Sequence, residues 1–266
     1  MRTTGGGGIT ACVVARDEAL ALPEVLPTLR WADEVLVVVD DATVDATALV
    51  ARSLADHVEV RTFGSFPAFR NAALALASQQ WVFFVDADER VSAALAGEVQ
   101  AAVAASEASI ASDDRSAPVG YWVPRHNVMF GRLIQGGGWS PDYQLRLLHR
   151  DHARYDETWL VHERVILDGT EGHLQERLLH LSYRSPSEFL AKQHRYALAE
   201  VASDRARGVR YRQRALVGQP LHEFARRFFA LGGWRDGPIG LFLCAAMAYA
   251  AYERVRLVRT QETRSR

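Results

Sequence analysis

The sequence predicts an α/β fold: a mainly parallel, partly mixed sheet flanked by helices, with a helical C-terminal extension. Three observations predict it. Short apolar, β-branched runs alternate with helix-like segments through the first third of the chain, the signature of a parallel sheet with right-handed crossovers. The run Trp81-Val82-Phe83-Phe84-Val85 is apolar on every residue, so it reads as a strand buried on both faces. From Ser185 onward the pattern turns helical, opening on Ser185-Pro186-Ser187-Glu188, a capping box with Pro at the first helical position.

Composition bounds the class. The chain has 266 residues, 48% hydrophobic and 24% charged, enough for one large domain with an appendage and a sizeable core. Its formal net charge is −1, which gives no argument for a nucleic-acid partner. Cys12 falls in a predicted strand and Cys244 in a predicted helix, far apart in sequence. That disfavours a disulfide framework or a zinc site and suits a reducing, cytoplasmic compartment. Met1 to Gly8 carries no apolar core of a signal peptide and is expected to be a flexible tail. Gly5 to Gly8 precede the first strand, whereas a dinucleotide fingerprint follows one.

In order, Ile9 to Ala15 is a first strand, followed by Arg16-Asp17-Glu18. A helix fills Leu20 to Trp31, limited in regularity by Pro23 and Pro27. Glu34 to Val39 is a second buried strand ending in Asp40-Asp41, and Asp45 is placed to cap a helix running through Leu54. Val58 to Thr62 is a short strand and Pro67 to Ser78 a helix with Arg70-Asn71 in its first turns. The strand Trp81 to Val85 ends in Asp86-Ala87-Asp88-Glu89-Arg90.

Three strand ends therefore offer polar residues to one edge of the sheet: Arg16 to Glu18, Asp40 with Asp41, and Asp86 with Asp88. Ligands of open α/β sheets gather at such carboxyl ends. On a strand continuation Asp86 and Asp88 point the same way. Two convergent carboxylates are hard oxygen ligands suited to Mg²⁺ or Mn²⁺ carrying a phosphate. A solvated acidic turn closing the strand is the plainer alternative.

The ordered set Val38-Val39-Asp40, Thr43, Asp45 and Thr47, then Arg70-Asn71-Ala72-Ala73, then Asp86-Ala87-Asp88-Glu89 resembles family 2 glycosyltransferases of the GT-A fold. Within them it resembles the branch that includes lipopolysaccharide-core β-glucosyltransferases. The resemblance runs over nearly the whole chain. It implies a nucleotide-sugar donor, with Asp40 reading the base, typically uracil, and Arg70 lining the same pocket. Asp86 would face the ribose or metal side and Asp88 would hold the metal on the diphosphate. Arg16 and Glu18 would stand at the donor end of the first strand. Arg16 departs from the Asn often seen before that Glu. The alternative for Arg70 is an ordinary surface position on a helix.

Beyond this region, Ser92 to Ile110 reads as an Ala-rich helix, Ser112 to Pro118 as a connector and Tyr121 to Pro124 as a strand. Gly136-Gly137-Gly138 suggests a mobile loop near the acceptor; no Lys-Ser/Thr follows, as a phosphate cradle would need. Gln144 to His149, in Trp139-(x)-Pro141-Asp142-(x)-Gln144-(x)-Arg146-Leu147, is a strand, and Val161-His162-Glu163 follows later. By resemblance a carboxylate here is the general base: Glu163 first, Asp142 second. Their plainer readings are a strand-edge charge and a turn residue. Trp139 and Trp159 fit core or acceptor-loop packing. By the same resemblance His180, in the apolar run Leu178-Leu179-His180-Leu181, joins Asp88 as a metal ligand; a core histidine is the alternative.

The chain then divides into a tail at residues 1–8, a transferase domain at 9–184 and a helical extension at 185–266. A first helix in the extension runs to about Ala206, and Arg205, Arg207, Arg210, Arg212 and Arg214 cluster around its end. Ile239 to Tyr252 is an almost wholly apolar helix, shorter than the roughly twenty residues needed to cross a bilayer, and Arg254, Arg256 and Arg259 follow it. Such a helix suits a membrane interface on the inner face of the cell membrane. Packing on the domain and a homodimer contact are the other uses.

The resemblance thus implies a metal-dependent, inverting transfer from a nucleoside-diphosphate sugar, UDP-glucose or similar, to a hydroxyl of a glycan or lipid-linked acceptor. Two other classes compete. A nucleotidyltransferase usually carries a Gly-rich basic loop after the first strand, where this chain has Arg16-Asp17-Glu18. A non-catalytic membrane-associated scaffold sits poorly with an intact carboxylate set.

Overall fold

The computed structural model describes residues 7–112, 114, 116–158 and 164–264. The chain forms two compact units, one of Met1–Arg125 with Tyr143–His180, the other of His126–Asp142 with Leu181–Arg266.

The first unit opens with β1 (Ile9–Ala15), a short turn of helix α1 (Leu22–Val25), β2 (Glu34–Asp40), α2 (Thr47–Leu54), β3 (His57–Arg61), α3 (Phe66–Leu76) and β4 (Trp81–Val85). β5 (Glu89–Arg90), α4 (Ala93–Ala111), β6 (Pro118–Met129), β7 (Arg132–Leu133), β8 (Asp142–His149), β9 (Ala153–Tyr155), β10 (Val165–Leu167), β11 (Thr170–His173) and β12 (Leu178–Tyr183) complete the strands. Among the described residues the main sheet runs β3-β2-β1-β4-β8-β6-β12-β5. β1 pairs in parallel with both β2 and β4, whereas β8 runs antiparallel to β4 and β12 antiparallel to β5. The sheet is therefore mixed.

The strands form where they do because both faces are covered. Trp81, Phe83 and Val85 pack into one core with Leu26, Leu29 and Leu95, while Val82 and Phe84 pack into another with Phe69 and Leu148. Each such fully buried side chain is worth about 1.5–3 kcal/mol relative to exposure. Ser92 caps α4 by accepting from Leu95 N at 3.1 Å.

Several elements differ from expectation. The helix over Leu20 to Trp31 shrinks to α1 and a 3-10 turn at Leu26–Leu29, because Pro23 and Pro27 each remove a backbone donor. Asp45 stands one residue before the N-cap of α2, which is Ala46; its carboxylate accepts from Thr47 N at 2.9 Å. β6 continues past Pro124 to Met129.

In the second unit, α5 (Pro186–Ala206) starts at the Ser185 cap, whose hydroxyl accepts from Glu188 N at 3.2 Å. α6 (Ala215–Ala225) and α7 (Gly237–Arg264) follow. α7 outruns the apolar stretch because its polar half is held by α5. Buried Asp204 accepts from Arg254 at 2.6 and 2.8 Å, and His194 bonds Glu253 at 2.8 Å. Phe189, Leu243, Met129 and Ile134 make this unit's core.

The glycine run is packed rather than loose. A Cβ on Gly136 would lie 2.2 Å from the carbonyl oxygen of Gly232, and Gly137 N donates to Leu231 O at 2.8 Å. Close backbone approach is what demands glycine here. Among the described residues no helix is long and apolar enough to cross a membrane.

Candidate functional site

Register brings the polar strand ends of the first unit to one edge. Ala15 pairs with Val39 and Val13 with Val85, so Asp40 ends and Asp86 directly follows the two strands that flank β1. Strands two apart in a sheet lie about 10 Å from each other, a span suited to a small ligand.

At the β2 side, Asp40 is buried, and Arg16 Nη1 reaches its Oδ2 at 3.3 Å. Its Oδ1 accepts from Ala42 N at 2.9 Å, which shapes the following turn. Asp17 sits at φ 56°, a left-handed conformation that Asp tolerates. From there it accepts from Val44 N at 2.8 Å. In return Asp45 accepts from Ala19 N at 3.1 Å, and Thr47 Oγ1 accepts from Glu18 N at 2.7 Å. The Thr and Asp residues of this motif thus tie the loops after β1 and β2 together.

At the β4 side, Arg70 is largely buried, its guanidinium 4.9 Å from the Phe84 ring centre and 5.8 Å from that of Tyr155. Its Nη2 donates to Asp86 Oδ1 at 3.2 Å. Arg146, from β8, donates to the same oxygen at 3.1 Å, pairs also with Asp86 Oδ2, and reaches Glu89 Oε1 at 3.0 Å. Arg125 adds a contact to Glu89 Oε1 at 3.3 Å. Desolvation pushes the Asp86 carboxyl up, but the charges of Arg146 and Arg70 prevail and hold it well below the usual carboxylate range. Complete burial pushes Glu89 up against the pull of Arg146. Burial works against the charge on Arg146, but Asp86 and Glu89 outweigh it and hold the guanidinium protonated. Among the described residues Arg146 Nε is buried without a hydrogen-bond partner, an omission that costs about 1–3 kcal/mol.

Asp88 occupies the tip of the turn and is about half exposed, with His180 Nε2 3.3 Å from its Oδ2. β12 holds the imidazole there, because His180 faces Glu89 in antiparallel register. Among the described residues no three His, Cys, Asp or Glu side chains converge as a metal cluster. Asp88 and His180 make a two-donor pair. Such a pair fits a hard divalent cation that draws its other ligands from a diphosphate and water.

The sequence-derived residues therefore fall into three pairs: Arg16 with Asp40, Arg70 with Asp86, and Asp88 with His180. Glu18 lies beside the first pair. Asp142 belongs to the second unit, where it accepts from Asn127 Nδ2 at 3.0 Å. Glu163, like Trp159, lies outside the described residues. Arg146, Glu89 and Arg125 carry contacts that the sequence did not assign to them. Arg146 stood in a noted strand pattern, but spacing gives no sign of a carboxylate partner sixty residues away.

The glycosyl transferase family 2 model matches residues 10–166, more than half of the chain. The chain belongs to that family. Its length beyond the match is also shared with relatives. It is 28% identical over 255 residues to the lipopolysaccharide core biosynthesis glycosyltransferase LpsC of Rhizobium meliloti, covering 92% of this chain and 88% of that one. An uncharacterized glycosyltransferase of Rickettsia bellii is 25% identical over 92 residues, 35% of this chain and 31% of its own. Among solved structures, the mannosyltransferase PcManGT from Pyrobaculum calidifontis, in complex with GDP-Man and Mn²⁺, aligns over 99% of this chain and 77% of its own, at TM-score 0.47 and 16% identity. S. aureus TarS aligns over 97% and 92% respectively, at TM-score 0.44 and 15% identity. As a member of family 2 the protein is a glycosyltransferase with an α/β, GT-A-like mixed sheet and a long C-terminal helical extension.

Proposed function

We propose that this glycosyltransferase moves a sugar, with inversion, from a nucleoside-diphosphate donor to a hydroxyl of a glycan or lipid-linked acceptor. UDP-glucose and a lipopolysaccharide-core acceptor are the first choices, by likeness to LpsC as described. The observation that carries the reading is the Asp88–His180 pair at the tip of the turn after β4, on the same sheet edge as Arg16 and Asp40.

In this scheme the donor's base and ribose rest against Asp40, Arg16, Arg70 and Asp86. Asp88 and His180 would hold Mn²⁺ or Mg²⁺, which when bound would neutralise charge on the leaving diphosphate. Glu163 takes the acceptor hydroxyl proton while that oxygen bonds the anomeric carbon; the carbon–phosphate oxygen bond breaks and the nucleoside diphosphate leaves with the electron pair. Asp142 is the second choice for base. The test is calorimetry of UDP with and without Mn²⁺, followed by a screen of UDP- and GDP-sugars for transfer. Asp88→Asn is expected to fold, since the side chain is half exposed, and to lose the Mn²⁺-dependent part of UDP binding. Full Mn²⁺ dependence in that variant would refute the assignment.

For the second unit we propose a peripheral membrane role on the cytoplasmic face. Leu221, Phe229 and Trp234 are exposed at 64%, 66% and 56%; Arg226 lies between them in sequence and Arg235 directly follows Trp234. Exposed aromatic and arginine side chains suit an anionic lipid interface, and a dimer seam is the other use of such a surface. Co-sedimentation with anionic but not with neutral vesicles is the expected result; equal behaviour with both would leave the dimer contact.

A further inference from the structure

We propose that Arg146 is a positioning residue: it fixes the Asp86–Glu89 turn and thereby sets Asp88 and His180 for a divalent cation. The inference rests on the metal reading of Asp88 above. The turn is closed by its own ends. Glu89 N donates to Asp86 O at 2.9 Å, and Glu89 Oε2 accepts from Asp86 N at 2.8 Å. Ala87 and Asp88 lie between those ends. One guanidinium spans both of them, through Asp86 Oδ1 at 3.1 Å, Asp86 Oδ2, and Glu89 Oε1 at 3.0 Å. A planar fork of donors can hold two carboxylates at once, which an ammonium cannot do with fixed geometry.

The fork is itself anchored. Leu147, next to Arg146, pairs with Phe83 across the β8–β4 ladder, three residues before Asp86. His180 faces Glu89 across the β12–β5 ladder. So the residue whose carboxylate Arg146 grips is the ladder partner of His180. Asp88 is more exposed than either partner of this clamp and takes its place from the turn that the clamp holds.

Core stability alone does not account for the arrangement. Arg146 is 5% exposed and Glu89 fully buried, and among the described residues Arg146 Nε has no hydrogen-bond partner. Well-packed apolar side chains often replace such buried ion pairs at no loss of stability. A two-point hold on a ligand-bearing turn needs the ion pair.

The test uses Arg146→Lys, which keeps the charge but not the fork, and the charge-balanced double variant Arg146→Met/Glu89→Gln. UDP binding is titrated by calorimetry across Mn²⁺ concentrations, and thermal melts report folding. We expect at least one variant to fold, with the Mn²⁺ concentration for half-maximal enhancement of UDP binding raised about 10–100-fold, the usual effect of losing an outer-shell partner. No rescue by Lys is expected. A merely structural role would lower the melting temperature and leave that midpoint in place, which would overturn the inference. Loss of folding in both variants would overturn it as well, since Arg146 would then be a strut of the core. A wild-type protein without Mn²⁺ dependence would sink the metal reading and this inference together; an unshifted Mn²⁺ midpoint in the folded variants would sink the inference alone.

Discussion

Asn71 and Tyr155, 84 residues apart, exchange two hydrogen bonds: Asn71 Nδ2 to Tyr155 O at 3.0 Å and Tyr155 N to Asn71 Oδ1 at 2.7 Å. The side-chain amide acts as a one-residue strand partner. It holds the Tyr155 ring edge-on to Phe84, 5.8 Å between centres, with Arg70 against both. Asn71→Ala would leave the Tyr155 N–H and carbonyl without these partners. The expected cost is about 1–3 kcal/mol, read as a lower urea midpoint, together with weaker UDP binding as Arg70 loses its backing. Unchanged UDP affinity would detach this contact from the donor site.

The base assignment has a direct kinetic consequence. Glu163→Gln is expected to leave the donor dissociation constant unchanged and to lower kcat by about 10²–10⁴-fold. Near-normal turnover would move the role to Asp142, and Asp142→Asn would then show the loss.

Acid sensitivity of the second unit should trace to Asp204. Hydrogen bonds from Arg254 lead the causes that hold its carboxyl below the usual range, against burial, with Tyr211 and Arg207 adding to them. The native pKa lies below the unfolded one, near 3.9 for Asp. The unfolded state therefore binds the proton first, and the contribution is complete above about pH 5 and lost as pH falls through the native pKa. Urea midpoints of wild type should drop on going from about pH 6 to about pH 3, and those of Asp204→Asn should drop less. Parallel curves would assign the acid loss to other carboxylates.

Both cysteines should be silent in the folded protein. Burial pushes the Cys12 thiol up to about 12 and raises Cys244 too, so little thiolate forms at neutral pH. A colorimetric disulfide reagent should find both thiols only after denaturant is added. Rapid native reaction would mean that β1 or α7 opens readily.

Much of the first unit's scaffold is legible in the chain because its causes are local. The all-apolar run at Trp81 states that both faces of β4 are covered, and the polar residues just after Ala15, Val39 and Val85 mark the strand ends. Elsewhere a local rule is overruled by a distant partner. Gly136 to Gly138 read as a loose loop until the backbone of Gly232 is found against them. Asp45 has the chemistry of an N-cap, but it serves two elements: one oxygen accepts from Thr47 N at the start of α2 and the other from Ala19 N in the neighbouring loop.

By itself the sequence determined the order and kind of the first elements, the edge to which the carboxylates are delivered, and membership in a glycosyltransferase family. Periodicity, strand-end chemistry and a motif each act over a few residues and survive without coordinates. Only the tertiary structure decided what each charge faces: Arg146 between Asp86 and Glu89, His180 beside Asp88, Asp142 in the other unit. Those pairings join strands that lie far apart along the chain. An ion pair depends on a few ångströms of separation, and sequence spacing cannot supply that across a sheet.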